Sequence, residues 1–245
     1  MANYKLIVAY EGTNLLGWQK TRMGRSVEEE LEKALQTIFQ QPISLQAASR
    51  TDAGVHALGQ VVNVHLEKEA TGALVSLNQL LPADIAVLSI ERVADEFHPT
   101  LHALGKEYHY TLRTSTFHIP QERHLVWHFP YALDIERIRA ASQDFLGTHD
   151  FKAFCNVKKN DPETDFIRTV THIEITEPQR DKILFKVEGN RFLYKMVRNI
   201  IGTLVYIGCG KLPSDIIPQL LEGKDRTAAG VTAPAHGLTL FRVKY

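Results

Sequence analysis

Tyr4, Leu6, Val8 and Tyr10, with Lys5, Ile7 and Ala9 between them, have the two-residue period of a strand that buries one face well and the other partly. Gly12 and Gly17 end that run. Ser26 stands three residues before Glu29, the spacing of a capping box, and Val27, Leu31, Ala34, Leu35 and Ile38 follow at helical intervals up to Pro42. Ile43, Leu45 and Ala47 start a second strand, and Val62, Val64 and Leu66 a third. A short helix over 74–81 stops at Pro82, and 85–93 reads as a fourth strand. Residues 106–113 form a linking strand with Tyr108, Tyr110 and Leu112 on one face.

The second half repeats the order. A helix over 133–146 turns Ile138, Ala141 and Phe145 to a core and stops at Gly147. A strand pair follows over 170–175 and 183–187, then an amphipathic helix over 192–206, a shorter one near 214–221, and a closing strand over 238–243. Residues 115–131 have no period and read as a connecting loop. This order predicts an α+β fold of two similar halves, each an antiparallel sheet covered by helices on one face. They read as duplicated RRM- or ferredoxin-like units with a cleft between them. Residues 1–105 carry the loop at Asp52; residues 106–245 carry the Tyr108 strand and the Arg198 helix. The halves share no visible sequence similarity, so duplication rests on element order.

Composition narrows the class. Hydrophobic residues make up 44% and charged residues 23%, ordinary for a globular chain. No apolar run reaches the roughly 18 residues that a membrane helix needs. The first residues enter strand-like sequence without a basic leader or long apolar core, so no signal peptide is expected. Cys155 and Cys209 are far apart and form no CxxC unit, which suits a cytoplasmic chain with buried thiols. Lys+Arg and Asp+Glu balance at 28 each. That balance counts against a nucleic-acid partner unless one face collects the positive charge.

Common chemical signatures are absent. Gly105-Lys106, Gly210-Lys211 and Gly223-Lys224 lack the rest of a phosphate loop, and no dinucleotide fingerprint, HExxH or GxSxG occurs. ATP, NAD and the commonest hydrolase mechanisms lose support. His98 and His102 have a spacing that binds metal on a helix, but Pro99 breaks that helix and no cysteine lies near in sequence. Loop histidines, and no metal site, are expected there.

The informative stretch is 49–60, between two strands. It concentrates polar residues around Asp52, with Gly54 and Gly59 permitting unusual backbone angles. Spacing leaves two readings open: a turn in which Asp52 caps backbone amides and Arg50 is solvated, or a site displayed by a rigid sheet.

Arg50-Thr51-Asp52-Ala53-Gly54-Val55-His56-Ala57 resembles, without a substitution, the signature of the TruA family of tRNA pseudouridine synthases. Similar segments follow the family's order: Gly17-Trp18-Gln19, Leu81-Pro82-Ala83-Asp84, Phe97-His98, Tyr108-His109-Tyr110, Asn190-Arg191-Phe192 through Arg198-Asn199, and Lys224-Asp225-Arg226. The resemblance implies isomerisation of uridine to pseudouridine, in which uracil leaves the ribose, turns and rejoins through carbon. No atoms are gained and no redox change occurs, so no cofactor is implied. The essential aspartate falls on Asp52, attacking covalently or assisting glycal formation; both routes need an ionised carboxylate against a flipped nucleotide.

By the same resemblance Arg198 is the catalytic basic partner of Asp52, and Tyr108 packs on the target base while Tyr110 belongs to the core. Arg50 contacts phosphate or fills the space left by the base. The implied partner is the tRNA anticodon stem-loop, at roughly positions 38 to 40, bound across a homodimer that reads RNA shape. One departure is Glu107, where many relatives carry a basic residue; a carboxylate there weakens attraction for the RNA backbone. Lys106, Lys152, Lys158, Lys159, Arg191 and Lys195 offer a basic rim instead. Two other readings compete: an RNA-binding module without catalysis, and a metal-dependent hydrolase using Asp52 and His56. Intact Asp52, Tyr108 and Arg198 argue against the first, and indifference to chelators would argue against the second.

Overall fold

The computed structural model describes residues 1–157 and 165–245, so Lys158 and Lys159 lie outside the described residues. In chain order its elements are β1 (Ala2–Tyr10), α1 (Val27–Phe39), β2 (Gln46–Ala47), β3 (His56–Leu66), α2 (Ala73–Leu80), β4 (Ile85–Arg92), β5 (Gly105–Arg113), β6 (Trp127–His128), α3 (Ile135–Ser142), β7 (Gly147–Asp150), β8 (Ile167–Gln179), β9 (Lys182–Gly189), α4 (Met196–Gly208), α5 (Ile216–Gly223) and β10 (Leu238–Lys244). The architecture is mixed α+β. Contacts divide the chain into one unit of Met1–Leu104 with Thr239–Tyr245, and another of Gly105–Leu238.

In the first unit β1 is antiparallel to both β3 and β4, while β2 and β10 each take part of the far edge of β3. Tyr4, Leu6, Val8 and Tyr10 are buried, as their alternation predicts. The α1 helix buries Val27, Leu31, Leu35 and Phe39, with Phe39 taking the place expected of Ile38. Ser26 Oγ accepts the Glu29 amide, but the Glu29 carboxylate turns to Lys33 Nζ at 2.7 Å, so one half of the expected box is replaced by an i,i+4 ion pair. Gln40 ends the helix in the left-handed region, two residues before Pro42.

Two sequence expectations change here. The strand begun by Ile43 reduces to Gln46–Ala47. The loop ends at Val55 rather than at 60, because His56 already belongs to β3. Between Gln60 and Ala57 that strand steps three residues while β1 steps two, from Val8 to Tyr10, leaving one extra residue at a bulge. Gly59 lies there with no room for a side chain: its Cβ would stand 2.5 Å from the Phe241 carbonyl oxygen.

In the second unit β5, β9, β8 and β7 form an antiparallel sheet, with β6 parallel to the end of β5. Tyr108, Tyr110 and Leu112 pair with Val187, Phe185 and Ile183, so one face is a continuous apolar layer; Ile173 and Ile175 extend it into β8. Helices α3 and α4 pack on each other and bury Ile138, Ile200, Ile201 and Leu204 completely. The predicted helix over 133–146 shortens to Ile135–Ser142, because Asp134 caps it by accepting the Arg137 amide and a 3-10 turn, Gln143–Phe145, follows. The helix expected from 192 begins at Met196 instead. Lys195 takes φ 61°, which leaves 190–195 as a turn. Within 115–131 a 3-10 turn at Pro120–Glu122 and the short β6 add order to the expected loop.

Candidate active site

Asp52 sits in a turn closed by the Val55 amide bonding to the Asp52 carbonyl at 3.1 Å. Gly54 occupies its third position with φ 79°, where any other residue would be strained. Flanking groups fix the turn. Thr51 Oγ1 bonds to Tyr10 Oη at 2.7 Å; both residues are buried, while Asp52 is half-buried and Arg50 exposed. Gln60, fully buried, uses both ends of its amide on the Ser49 backbone, at 3.2 and 2.6 Å.

The segment 12–18 forms the bed under this turn. The Trp18 amide bonds to the Thr51 carbonyl and the Gly54 amide to the Leu15 carbonyl. The Gly17 and Trp18 carbonyls in turn accept the first amides of α1, from Val27 and Glu28, which ties helix and turn to one strip of backbone. A Cβ at Gly12 would overlap the Val55 carbonyl, and one at Gly17 would stand 2.5 Å from the Thr51 carbonyl oxygen. These glycines do more than end a strand: their lack of a side chain lets two backbones touch.

His56 Nδ1 accepts the Gly12 amide at 2.9 Å in a position 3% exposed. The lone pair needed for metal ligation at that nitrogen is engaged in fold-keeping, which removes support from the hydrolase reading. His98 Nδ1 likewise accepts amides, from Thr100 and Leu101. Among the described residues no group of three or more His, Cys, Asp or Glu is arranged to hold a metal ion, and no helix is long and apolar enough to cross a membrane.

In the second unit Tyr108 is buried and meets Phe192 edge-on, with ring centroids 5.3 Å apart. Tyr110 is fully buried, and its hydroxyl donates to the Pro234 carbonyl at 3.0 Å. Burial pushes that phenol well above its usual range, and the nearby charge of Arg198 only partly offsets this. Arg198 projects from the first turn of α4, half-exposed, with Nε donating to the Ala233 carbonyl at 2.8 Å.

Beneath it lies a polar knot that sequence reasoning missed. Asn199, fully buried, donates to the Phe154 carbonyl and to Asn156 Oδ1, and accepts from Arg226 Nη2 and Thr232 Oγ1. Arg226 also donates to the Gly230 carbonyl, and its burial lowers its proton affinity. The same segment presses on α4 through glycines: a Cβ at Gly202 would overlap the Val231 carbonyl, and one at Gly230 would meet the Thr203 Cα at 2.5 Å. The sequence signal was present in the Lys224-Asp225-Arg226 motif, but nothing in its spacing pointed to Asn199.

Glu107 also requires correction. It is 4% exposed and bonds through Oε1 to His109 Nε2 at 2.7 Å. Its carboxylate, expected to weaken attraction for the RNA backbone, is held inside the fold against His109. Of the rim cations, Lys152 lies over the Phe166 ring and Lys195 over the Tyr194 ring, at 5.7 and 5.0 Å from the centroids.

A family profile described as tRNA pseudouridine synthase matches residues 6–100 and 141–245. The chain belongs to that family. A tRNA pseudouridine synthase A 2 from Protochlamydia amoebophila is 49% identical over 248 residues, covering 100% of this chain and 95% of that protein. The tRNA pseudouridine synthases A of Thermoanaerobacter sp. strain X514 and Acetivibrio thermocellus are 41% and 42% identical, each covering 100% of both chains. As a tRNA pseudouridine synthase, the protein is an isomerase that converts uridine to pseudouridine in tRNA and therefore takes RNA as its partner.

Proposed function

We propose that this synthase acts on uridines at about positions 38 to 40 in the anticodon stem-loop, flipping the nucleotide out of its stack before reaction. The C1′–N1 bond breaks, a C1′–C5 bond forms, C5 loses its proton to solvent and N1 gains one. Asp52 is the catalytic carboxylate and Arg198 its counter-charge. Tyr108 supports the uracil, and Arg50 contacts phosphate or fills the vacated stack. The reaction needs no cofactor and takes place in the cytoplasm. The two units are read as duplicated RRM- or ferredoxin-like halves, and the working form as a homodimer.

The observation that carries this reading is the immobilised Asp52 turn. A carboxylate that must meet one atom of a flipped nucleotide gains most from a backbone already fixed before binding. Thr51, Gly54 and Val55 are each tied down around Asp52, while Asp52 itself keeps partial access to solvent.

An anticodon stem-loop tritiated at uridine C5 tests the proposal. The wild-type protein releases tritium, whereas Asp52→Ala and Asp52→Asn bind the RNA and release none. Equal release by those variants would remove Asp52 from the chemistry, and inhibition by chelators would revive the hydrolase.

A further inference from the structure

One buried charge has no role in that chemistry. Lys106 lies two residues before Tyr108 on β5, hence on the same face, and is only 9% exposed. Its amine makes no ion pair among the described residues; burial, and secondarily the like charge of Arg191, pushes the amine down to about 8. The adjacent carboxylate, Glu107, belongs to the opposite face and bonds His109.

The surroundings are built rather than incidental. Lys106 pairs across the sheet with Gly189, and the Phe192 ring stands 3.0 Å from where a Gly189 Cβ would lie. That same ring meets Tyr108. Between Gly189 and Phe192 the chain makes a turn pinned by Asn190 Oδ1, which accepts the Arg191 amide at 2.6 Å and the Thr169 amide at 3.0 Å. The turn carries Arg191, exposed and near enough for its charge to act on the buried amine.

A buried cation beside a second cation is costly without an anion to share. We propose that Lys106 and Arg191 form a phosphate subsite that seats one RNA phosphodiester beside the nucleotide supported by Tyr108. Two strand residues span roughly 7 Å, which suits a base at one position and its own backbone at the other. Arg191 supplies a planar fork and Lys106 a point charge, a combination suited to a phosphate. The assignment rests on the proposed placement of the base at Tyr108.

The test uses wild type, Lys106→Met and Arg191→Gln with the anticodon stem-loop, and with RNAs carrying one neutral methylphosphonate on either side of the target uridine. Lys106→Met is expected to raise KM about 10-fold with kcat within about threefold, and Arg191→Gln to raise KM about threefold to 10-fold. One methylphosphonate should weaken wild-type binding by a similar factor yet cost Lys106→Met little more, the non-additivity expected of groups that touch. Unchanged KM in both variants, or losses that add fully for every methylphosphonate, would overturn the subsite. Arg191 is exposed, so its variant reports even if Lys106→Met folds poorly. Wild type that binds the RNA but releases no tritium would strike the proposed target uridines instead, leaving the binding comparison intact.

Discussion

Arg198 and Ala233 are joined twice: the Ala233 amide donates to the Arg198 carbonyl at 3.1 Å, and Arg198 Nε donates to the Ala233 carbonyl at 2.8 Å. The guanidinium is thereby aimed by its inner nitrogen. Lysine keeps the charge but has no second nitrogen for that anchor. Arg198→Lys should lower single-turnover rate by roughly 10- to 100-fold while RNA affinity stays within about threefold. A loss confined to affinity would show that Arg198 binds rather than assists reaction.

Gly17 offers a second handle on the same chemistry. Its φ of 86° and its approach to the Thr51 carbonyl leave alanine both strained and clashing. Gly17→Ala should destabilise by roughly 2 kcal/mol or more, measured by urea unfolding, and depress turnover below the level that the folded fraction explains. Full turnover per folded molecule would mean that the turn does not depend on its bed.

Asn199→Ala would leave the Phe154 carbonyl, Asn156, Arg226 and Thr232 each short of a partner in a buried setting. The expected cost is about 2–4 kcal/mol. Asn199→Asp should cost at least as much, since a carboxylate cannot donate to the Phe154 carbonyl. A midpoint unchanged in either variant would refute the knot as a support for α4.

Lys106 links stability to pH. Its folded-state value, about 8, lies below the ordinary 10.5, so the charged form is penalised by the fold. That penalty is full below about 8 and fades as pH rises toward 10.5, where the unfolded chain also loses its proton. Lys106→Met should therefore gain roughly 1–3 kcal/mol near pH 7, shrinking toward pH 10. Urea unfolding across that range checks the trend; a gain that grows with pH would reverse the argument.

Much of this was legible in the chain. The two-residue period of β1, the Ser26 cap and the spacing of Tyr108, Tyr110 and Leu112 each report a local rule, and local rules survive folding. What escaped was set by distant partners. The turn at 190–195 has helix-like residues, but Phe192 is drawn onto Tyr108 and Gly189, and the helix waits until Met196. His56 looked like a candidate ligand because the segment it meets, at Gly12, is 44 residues away. The burial of Glu107 beside His109 depends on the sheet around it, which its place in the chain does not reveal.

The contact of α4 with 230–233 is made by main chain against main chain, at Gly202 and Gly230. At those two positions of the joint there is no side chain to trim. Its depth is set by atoms that all amino acids share, so substitutions elsewhere in the core can retune stability without resetting how far Arg198 reaches. A change at either glycine would alter that reach by prising the helix away.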